Sequence, residues 1–182
     1  MSVIGFAGLR AVPWKNGLGV TREIRVEPAG ATMDDFLWRA SIAEVDTASP
    51  FSVFPGIDRT IVLLDGNGFT MTLDENRVHA LTTPCVPFAF AGESRVEVAL
   101  AGGATRDFNL MVRRSHARGH VDVERGPAML EHQDVALLHL ARGHAEVDGV
   151  ACVPGDSAIG PRTVRLAADA VALCVRVVLL TR

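Results

Sequence analysis

The chain has 182 residues and a formal net charge of −3 at pH 7, and 48% of its residues are hydrophobic. That length allows a large buried core, in one domain or in two small ones. The acidic balance supplies no positive field for a phosphate backbone, so we predict no nucleic-acid partner. The apolar start of the chain ends at Arg10, and the apolar segment 170–180 contains Arg176 and is too short to span a bilayer. We therefore expect a cytoplasmic protein with no membrane partner.

Short apolar or alternating segments recur along the chain, separated by Gly, Pro, Asn or Asp, and they predict an all-β fold. The first predicted set of strands comprises Thr21–Glu27, Leu37–Val45, Arg59–Leu64, Gly68–Leu73, Pro87–Phe90, Val96–Leu100 and Thr105–Arg113. The second predicted set comprises His120–Glu124, Asp134–Ala141, Ala145–Val147, Val150–Cys152, Ser157–Ile159, Thr163–Ala167 and Val171–Leu180.

The two sets of predicted strands follow a similar order. In each, a strand leads through a glycine turn to a short strand, and a Pro/Gly turn leads to the next strand, which is typical of a small double-sheet jelly roll. We therefore predict two related domains, 1–114 and 115–182, with the boundary placed loosely in the polar stretch Ser115–Gly119. One large sandwich without internal duplication is the alternative.

Lys15 is the only lysine in a chain that contains 18 lysine and arginine residues. An ammonium is a compact point charge whose pKa falls readily on burial, and it lacks the planar fork of a guanidinium. Its neighbours Trp14, Asn16 and Gly17 supply an amphipathic ring, a hydrogen-bonding amide and flexible backbone. The cluster predicts a ligand-facing loop, although a single lysine can also survive by chance in an arginine-biased composition.

Several blocks of sequence, in this order, resemble the HutD/Ves family. The blocks are Pro13–Gly17, Thr21–Ile24, Trp38–Val45, Pro50–Ser52, Phe54–Arg59 and Thr105–Met111. They span roughly the first two thirds of the chain, and the last third carries no comparable motif. One departure is visible, because Leu18 interrupts a stretch that in the family usually reads Gly-Gly-Gly.

The resemblance implies a bicupin, that is, two RmlC-like jelly-roll β-barrels in one chain. It also implies a link to bacterial histidine utilisation, in which the family's proposed role is to bind a small acidic metabolite such as formylglutamate and to temper the pathway.

Side chains on the predicted strand Thr105–Arg113 alternate between two faces. Asp107, Asn109 and Met111 share one of them, on a strand that otherwise looks buried. Polar groups packed against an aliphatic core are costly, so this face predicts a polar-lined cavity. An edge strand with a solvated second face is the alternative.

The predicted strand Leu37–Val45 places Arg39 and Ser41 on one face, and we expect both to line the same cavity. Arg39 suits bidentate recognition of a carboxylate, or else forms an internal salt bridge with Asp107 or Glu44. Arg59 begins the next predicted strand and is expected at the cavity mouth as a second cation, or as part of a structural pair with its neighbour Asp58.

The sequence does not show the ligand pattern of a metal-binding cupin. No His-x-His pair precedes the first glycine turn, and His132, His139 and His144 in the second half lack the spacing that one strand face requires. Motifs of nucleophilic or nucleotide-dependent enzymes are also missing from the sequence. We therefore predict no metal and no cofactor.

The leading hypothesis is a metal-free cupin that binds a small anionic metabolite. Lys15 and Arg39 would meet carboxylate, and Trp14 and Met111 would form the apolar wall. Hydrogen-bond specificity would come from Asn16, Ser41, Asp107 and Asn109.

Two other hypotheses remain open. In one, the protein is an enzyme in which Lys15 acts as a base or Schiff-base amine on a small acidic substrate. In the other, it is a structural partner protein that associates through its apolar final strand. We also expect that the chain can form a homodimer.

Overall fold

A computed structural model describes residues 2–14, 17–131 and 134–181 of the chain. The described part is almost entirely β-structure, with one short 3-10 helix at Phe6–Gly8, and the predicted all-β class is confirmed. The first strands are β1 (Ser2–Ile4), β2 (Ala11–Pro13), β3 (Gly19–Glu27), β4 (Trp38–Val45), β5 (Ile57–Gly66), β6 (Phe69–Leu73), β7 (Arg77–Leu81), β8 (Pro87–Ala91) and β9 (Val96–Leu100). The others are β10 (Thr105–Arg113), β11 (Ala117–Arg125), β12 (Ala128–Glu131), β13 (Val135–Arg142), β14 (Ala145–Val147), β15 (Val150–Cys152), β16 (Ser157–Ile159), β17 (Thr163–Leu166) and β18 (Val171–Leu179).

The larger of two compact units is built from a six-stranded and a three-stranded antiparallel sheet. The strand orders are β2-β3-β4-β10-β5-β8 and β7-β6-β9. Side chains from both sheets form one buried cluster, to which Ile61 and Leu63 contribute from β5 and Phe69 and Met71 from β6. The apolar faces of the two sheets thus pack against each other in an aliphatic and aromatic core.

The smaller unit has its own pair of sheets and its own core. Its strand orders are β1-β16-β13-β18-β11 and β12-β17-β14-β15. Leu138 and Leu140 of β13 pack in one cluster with Val147 of β14 and Val164 of β17. Each sheet therefore contributes one apolar face to a second, separate hydrophobic core.

The division into units differs from the predicted domains 1–114 and 115–182 at the start of the chain. Residues 2–9 belong with 119–179, and residues 10–118 form the larger unit with 180–181. The reason is that β1 pairs with β16, with Ser2 opposite Ile159. A three-residue strand is too short to show an alternating pattern, so its distant partner leaves no local signal.

The register of three central strands positions polar side chains of the larger unit on one face. Opposite Asn109 of β10 lies Ser41 of β4. Met111 lies between Arg39 of β4 and Arg59 of β5. Directly opposed residues in an antiparallel sheet point to the same face, so these five side chains form two adjacent rows. No helix in the described ranges is long and apolar enough to cross a membrane.

Candidate functional site

The larger unit contains a cavity of about 510 Å³, and Phe51 both lines this cavity and packs against the buried cluster. The cavity brings together seven of the predicted site residues: Trp14, Arg39, Ser41, Arg59, Asp107, Asn109 and Met111. The prediction that the faces of β4 and β10 line a shared cavity is therefore confirmed. Lys15 and Asn16, also predicted for this site, lie outside the described residues.

Arg59 lies deep in the cavity wall and not at its mouth, where we had expected it. The residue is only 9% exposed. Its guanidinium carbon lies 5.0 Å from the ring centroids of Phe51 and Phe90 and 5.6 Å from that of Phe54. Three aromatic faces around one cation compensate for part of its lost hydration. The expected structural pair with Asp58 is absent from the described contacts, because Asp58 pairs with Arg114 at 2.9 Å.

A hydrogen-bonded chain runs from Arg59 through Asn109 to Asp107. An Nη of Arg59 donates to Oδ1 of Asn109 at 3.1 Å, and Nδ2 of Asn109 donates to Oδ1 of Asp107. Both contacts of Asn109 agree with one orientation of its amide. Asp107 Oδ2 and Arg59 Nε are buried and have no hydrogen-bond partner among the described residues. Unsatisfied polar atoms are costly in a folded protein and are expected at sites of function.

The surroundings shift the pKa values of both charged ends of this chain. Burial raises the pKa of Asp107 to about 7, although the hydrogen bond from Asn109 and the charge of Arg59 act in the opposite direction. Burial likewise lowers the pKa of Arg59 to about 10, against the attraction of Asp107 and together with repulsion from Arg39. Near neutral pH the cavity therefore contains a guanidinium beside a carboxyl group that can gain or lose its proton.

Arg39 lines the cavity and forms a salt bridge, but its partner differs from those we considered. Its Nε donates to Oε2 of Glu23 at 2.8 Å. A second, longer hydrogen bond of 3.4 Å joins Arg39 Nη1 to the hydroxyl oxygen of Ser41. Glu44 pairs instead with Arg22 at 3.3 Å. Glu23 thus neutralises Arg39 at the edge of the cavity and holds its guanidinium in place.

Trp14 is positioned by the hairpin that joins β2 to β3. Its indole Nε1 donates to the hydroxyl of Thr21 at 2.8 Å, and backbone bonds join Trp14 N to Gly19 O and Gly17 N to Trp14 O, each at 2.9 Å. Gly17 has a φ of 72°, a conformation that suits glycine. The predicted ligand-facing loop therefore begins with a fixed aromatic wall of the cavity.

Sequence reasoning missed the part of the lining that comes from loops and from strand residues without a polar signal. These residues are Pro13, Thr21, Met33, Ala43, Val45, Ser49, Pro50, Phe51, Ser52 and Phe54. The segment 49–54 has no periodic pattern from which its orientation could be read. The only feature of the sequence that could have indicated a role for this segment is that Pro50–Ser52 and Phe54 lie within blocks that carry the family resemblance.

Of the second-half histidines considered as metal ligands, the two in the described residues, His139 and His144, have different partners. His139 is buried and its Nδ1 lies 2.9 Å from the Ser157 hydroxyl, whereas His144 lies 3.2 Å from Asp169. His132 lies outside the described residues. Among residues 2–14, 17–131 and 134–181, no group of three or more His, Cys, Asp or Glu side chains could hold a metal ion.

Comparison of the sequence with known families and proteins identifies relatives. The sequence model of the HutD family matches residues 7–175. A 21.2 kDa protein in the hutC 3′ region of Pseudomonas putida is 39% identical over 137 residues, which is 75% of this chain and 71% of that protein. Protein Ves of Citrobacter koseri is 40% identical over 119 residues, 60% of this chain and 56% of that protein.

Comparison of the fold with solved structures also identifies a HutD protein as similar. A structure of HutD from Pseudomonas fluorescens SBW25, described as a formate condition, superposes with a TM-score of 0.86 at 28% identity and covers 99% of both chains. A Cupin 2 conserved barrel domain protein from Leptotrichia buccalis superposes with a TM-score of 0.60 over 98% of this chain at 11% identity. The second likeness shows the fold alone, which is that of the cupins.

Proposed function

Because the chain belongs to the HutD family, we propose that its larger unit binds a small anionic metabolite, such as N-formylglutamate. We further propose that this binding modulates histidine utilisation. The second part is supported by the location of the Pseudomonas putida relative in the hutC 3′ region. The first part is supported by the chemistry of the cavity.

The observation that carries the proposal is the buried guanidinium of Arg59. Its Nε has no hydrogen-bond partner among the described residues, although the residue lines the cavity and is only 9% exposed. Arg39 supplies a second guanidinium on the neighbouring strand of the same wall. A planar guanidinium matches the two oxygens of a carboxylate, and such charge-assisted bonds are the strong ones. An anion with carboxylate groups is therefore the complementary ligand.

The remaining lining suits a small polar molecule with an apolar segment. Ser41 and Asn109 offer hydrogen bonds beside the two arginines, and Trp14 and Met111 supply apolar surface. A volume of about 510 Å³ lies within the usual range of small-molecule sites and has ample room for a short dicarboxylic acid. Lys15 follows Trp14 directly in sequence, and we retain it, with Asn16, as a proposed contact of the ligand carboxylate.

An enzyme that acts on a small acidic substrate is the second candidate function. The observation that favours it is Asp107, whose pKa of about 7 is that of an efficient general acid or base at neutral pH. The structure therefore favours Asp107 as the general acid or base of such an enzyme, whereas the sequence alone favours Lys15. Incubation with N-formylglutamate followed by mass spectrometry distinguishes the two functions, since a binding protein returns the compound unchanged.

Isothermal titration calorimetry tests the proposed binding. We expect wild-type protein to bind N-formylglutamate and glutarate, and to bind the neutral diamide glutaramide far more weakly. Arg39→Gln removes one guanidinium from the wall, and the loss of a charge-assisted bond predicts an affinity lower by roughly tenfold or more.

The matched control is Arg106→Gln. Arg106 lies on the same strand as Asp107 but pairs with Asp65, and it does not line the cavity. Its substitution should leave the affinity unchanged. Equal affinity for glutarate and glutaramide, or an unchanged affinity in Arg39→Gln, would contradict the proposal.

A further inference from the structure

We infer that Asp107 determines which ligands bind by changing its protonation state. It becomes protonated when a carboxylate anion enters the cavity, and the resulting acid donates a hydrogen bond from Oδ2 to that anion. The inference rests on the proposed function, because it concerns the same cavity. It adds that binding to the ionised form of Asp107 consumes one proton from solvent, and that the anion then replaces Asp107 as the counter-ion of Arg59.

The hydrogen-bond geometry leaves one atom of Asp107 for a ligand. The residue lines the cavity and is 1% exposed. Oδ1 already accepts from Nδ2 of Asn109, whose own Oδ1 is held by Arg59. Oδ2 has no hydrogen-bond partner in the described part of the chain. An ionised Oδ2 can only accept, so it would repel a carboxylate oxygen, whereas a protonated Oδ2 donates to it.

The carboxylate of Asp107 and the carboxylate of a bound ligand compete for the same positive charge. The cavity that Asp107 lines is also lined by Asn109 of β10, Arg39 of β4 and Arg59 of β5. A further charged group, Glu23 of β3, is bonded to Arg39. Because Arg39 shares its charge with Glu23, Arg59 is the described cation that has Asp107 as its counter-ion, and it must serve both Asp107 and a bound carboxylate. Two carboxylates in one buried site do not both stay ionised, so the anion raises the pKa of Asp107 further.

The proton balance is simple. The ionised carboxyl of Asp107 takes one proton from solvent, its new O–H donates to a carboxylate oxygen of the ligand, and release of the ligand returns the proton. No bond other than this O–H forms or breaks. With a pKa of about 7 in the free protein, Asp107 already carries the proton at low pH. We therefore expect little proton uptake at pH values well below this pKa and uptake that approaches one proton per bound anion well above it.

Calorimetry at pH 6, 7 and 8, in buffers of different ionisation enthalpy, measures this uptake directly. The probe is N-formylglutamate, whose two carboxylates stay ionised over the whole range. Proton uptake should increase with pH, and above the pKa of Asp107 the affinity should fall by up to about tenfold per pH unit. Binding with the same proton count at all three pH values would overturn the inference and leave the proposed function standing. A lack of binding at every pH would remove both.

Two variants separate Asp107 from other groups. Asp107→Asn keeps a donor at this position without a titrating proton, so it should bind the anion with no uptake and with a pH-independent affinity. Asp65→Asn removes an exposed carboxylate that pairs with Arg106, and it should behave as wild type. If Asp107→Asn proved unfolded in a thermal melt, the proton count of the wild-type protein would still decide the question. Uptake that persists in a folded Asp107→Asn would assign the proton to another group.

Discussion

The indole ring of Trp14 lies directly against Gly19, at the other end of the same hairpin. A Cβ atom placed on Gly19 would lie 2.9 Å from Cε3 of the ring and 2.8 Å from the carbonyl oxygen of Glu44. Real Cβ atoms are not found that close to another heavy atom, so glycine at this position sets where the aromatic wall of the cavity stands.

We predict that Gly19→Ala displaces the indole and breaks its hydrogen bond to Thr21. Because the second close atom belongs to the backbone, the variant should also be less stable than wild type. Trp14 should become more accessible to acrylamide quenching, and carboxylate binding should weaken several-fold. The control is Gly8→Ala, since a Cβ on Gly8 meets no atom within 4 Å. Unchanged quenching in Gly19→Ala would contradict the prediction, because it would show that the ring keeps its position and that the backbone shifts instead.

The ion pair between Arg39 and Glu23 leads to a prediction of increased affinity. Glu23→Gln removes the charge that Arg39 now neutralises, so the guanidinium becomes more available to an anion in the cavity. We expect carboxylates to bind about two- to tenfold more tightly in calorimetry. Glu27→Gln on the same strand is the matched control, because Glu27 pairs with Arg25 outside the cavity. Weaker binding in Glu23→Gln would mean that Glu23 serves mainly to orient Arg39.

The stability of the protein should depend on Asp107 in a defined pH window. Its pKa is 3.8 when unperturbed and about 7 in the folded protein, so between these values the folded state binds more protons than the unfolded state. The contribution of Asp107 to the free energy of unfolding is therefore full below about pH 4 and is lost as the pH rises through about 7.

Asp107→Asn removes this dependence. The variant should match wild type near pH 4 and exceed it at pH 8, by an amount on the order of a few kcal/mol or less. Urea unfolding of both proteins at pH 4, 6 and 8 measures the difference. A gap that does not widen with pH would contradict the prediction, because it would show that folding does not raise the pKa of Asp107.

Lys15 gives a prediction that comes from the sequence alone. If its ammonium meets a ligand carboxylate, Lys15→Ala should weaken binding by roughly 2–5 kcal/mol while the melting temperature of the free protein stays nearly the same. Lys15→Arg should not restore full affinity, because a planar fork cannot replace a compact ammonium. A lower melting temperature with unchanged affinity would instead make Lys15 a structural residue.

The central strands of the larger unit could be predicted from the sequence because their side chains alternate. Thr105–Arg113 was predicted with the observed bounds, and its Asp107 and Asn109 do face a cavity. The strands that were missed lack such a pattern. Arg77–Leu81 is mostly exposed, and Val78 at 67% exposure contributes nothing to an apolar face. Alternation is visible only where one face is buried.

The details of the site depended on contacts that no local pattern encodes. Arg59 was placed at the cavity mouth because its strand was predicted to begin there, whereas β5 begins at Ile57. Its aromatic neighbours Phe51 and Phe54 come from a loop without periodicity. Glu23 was missed as the partner of Arg39 because the pairing of β3 with β4 shifts register between Glu23 and Arg25. Such a shift changes which side chains meet across strands.

The pairing of Ser2–Ile4 with Ser157–Ile159 also sets the order in which the protein can be completed. The partner of Ser2–Ile4 lies at residues 157–159, so this sheet cannot be completed until that distant part of the chain has been synthesised. A gene divided between codons 114 and 115 would give a C-terminal fragment that lacks the outermost strand of one of its sheets. That fragment would expose the backbone of β16 as an open edge, which is a template for aggregation. Expression of both halves from separate genes would therefore require Ser2–Ile4 to find its sheet as a second molecule.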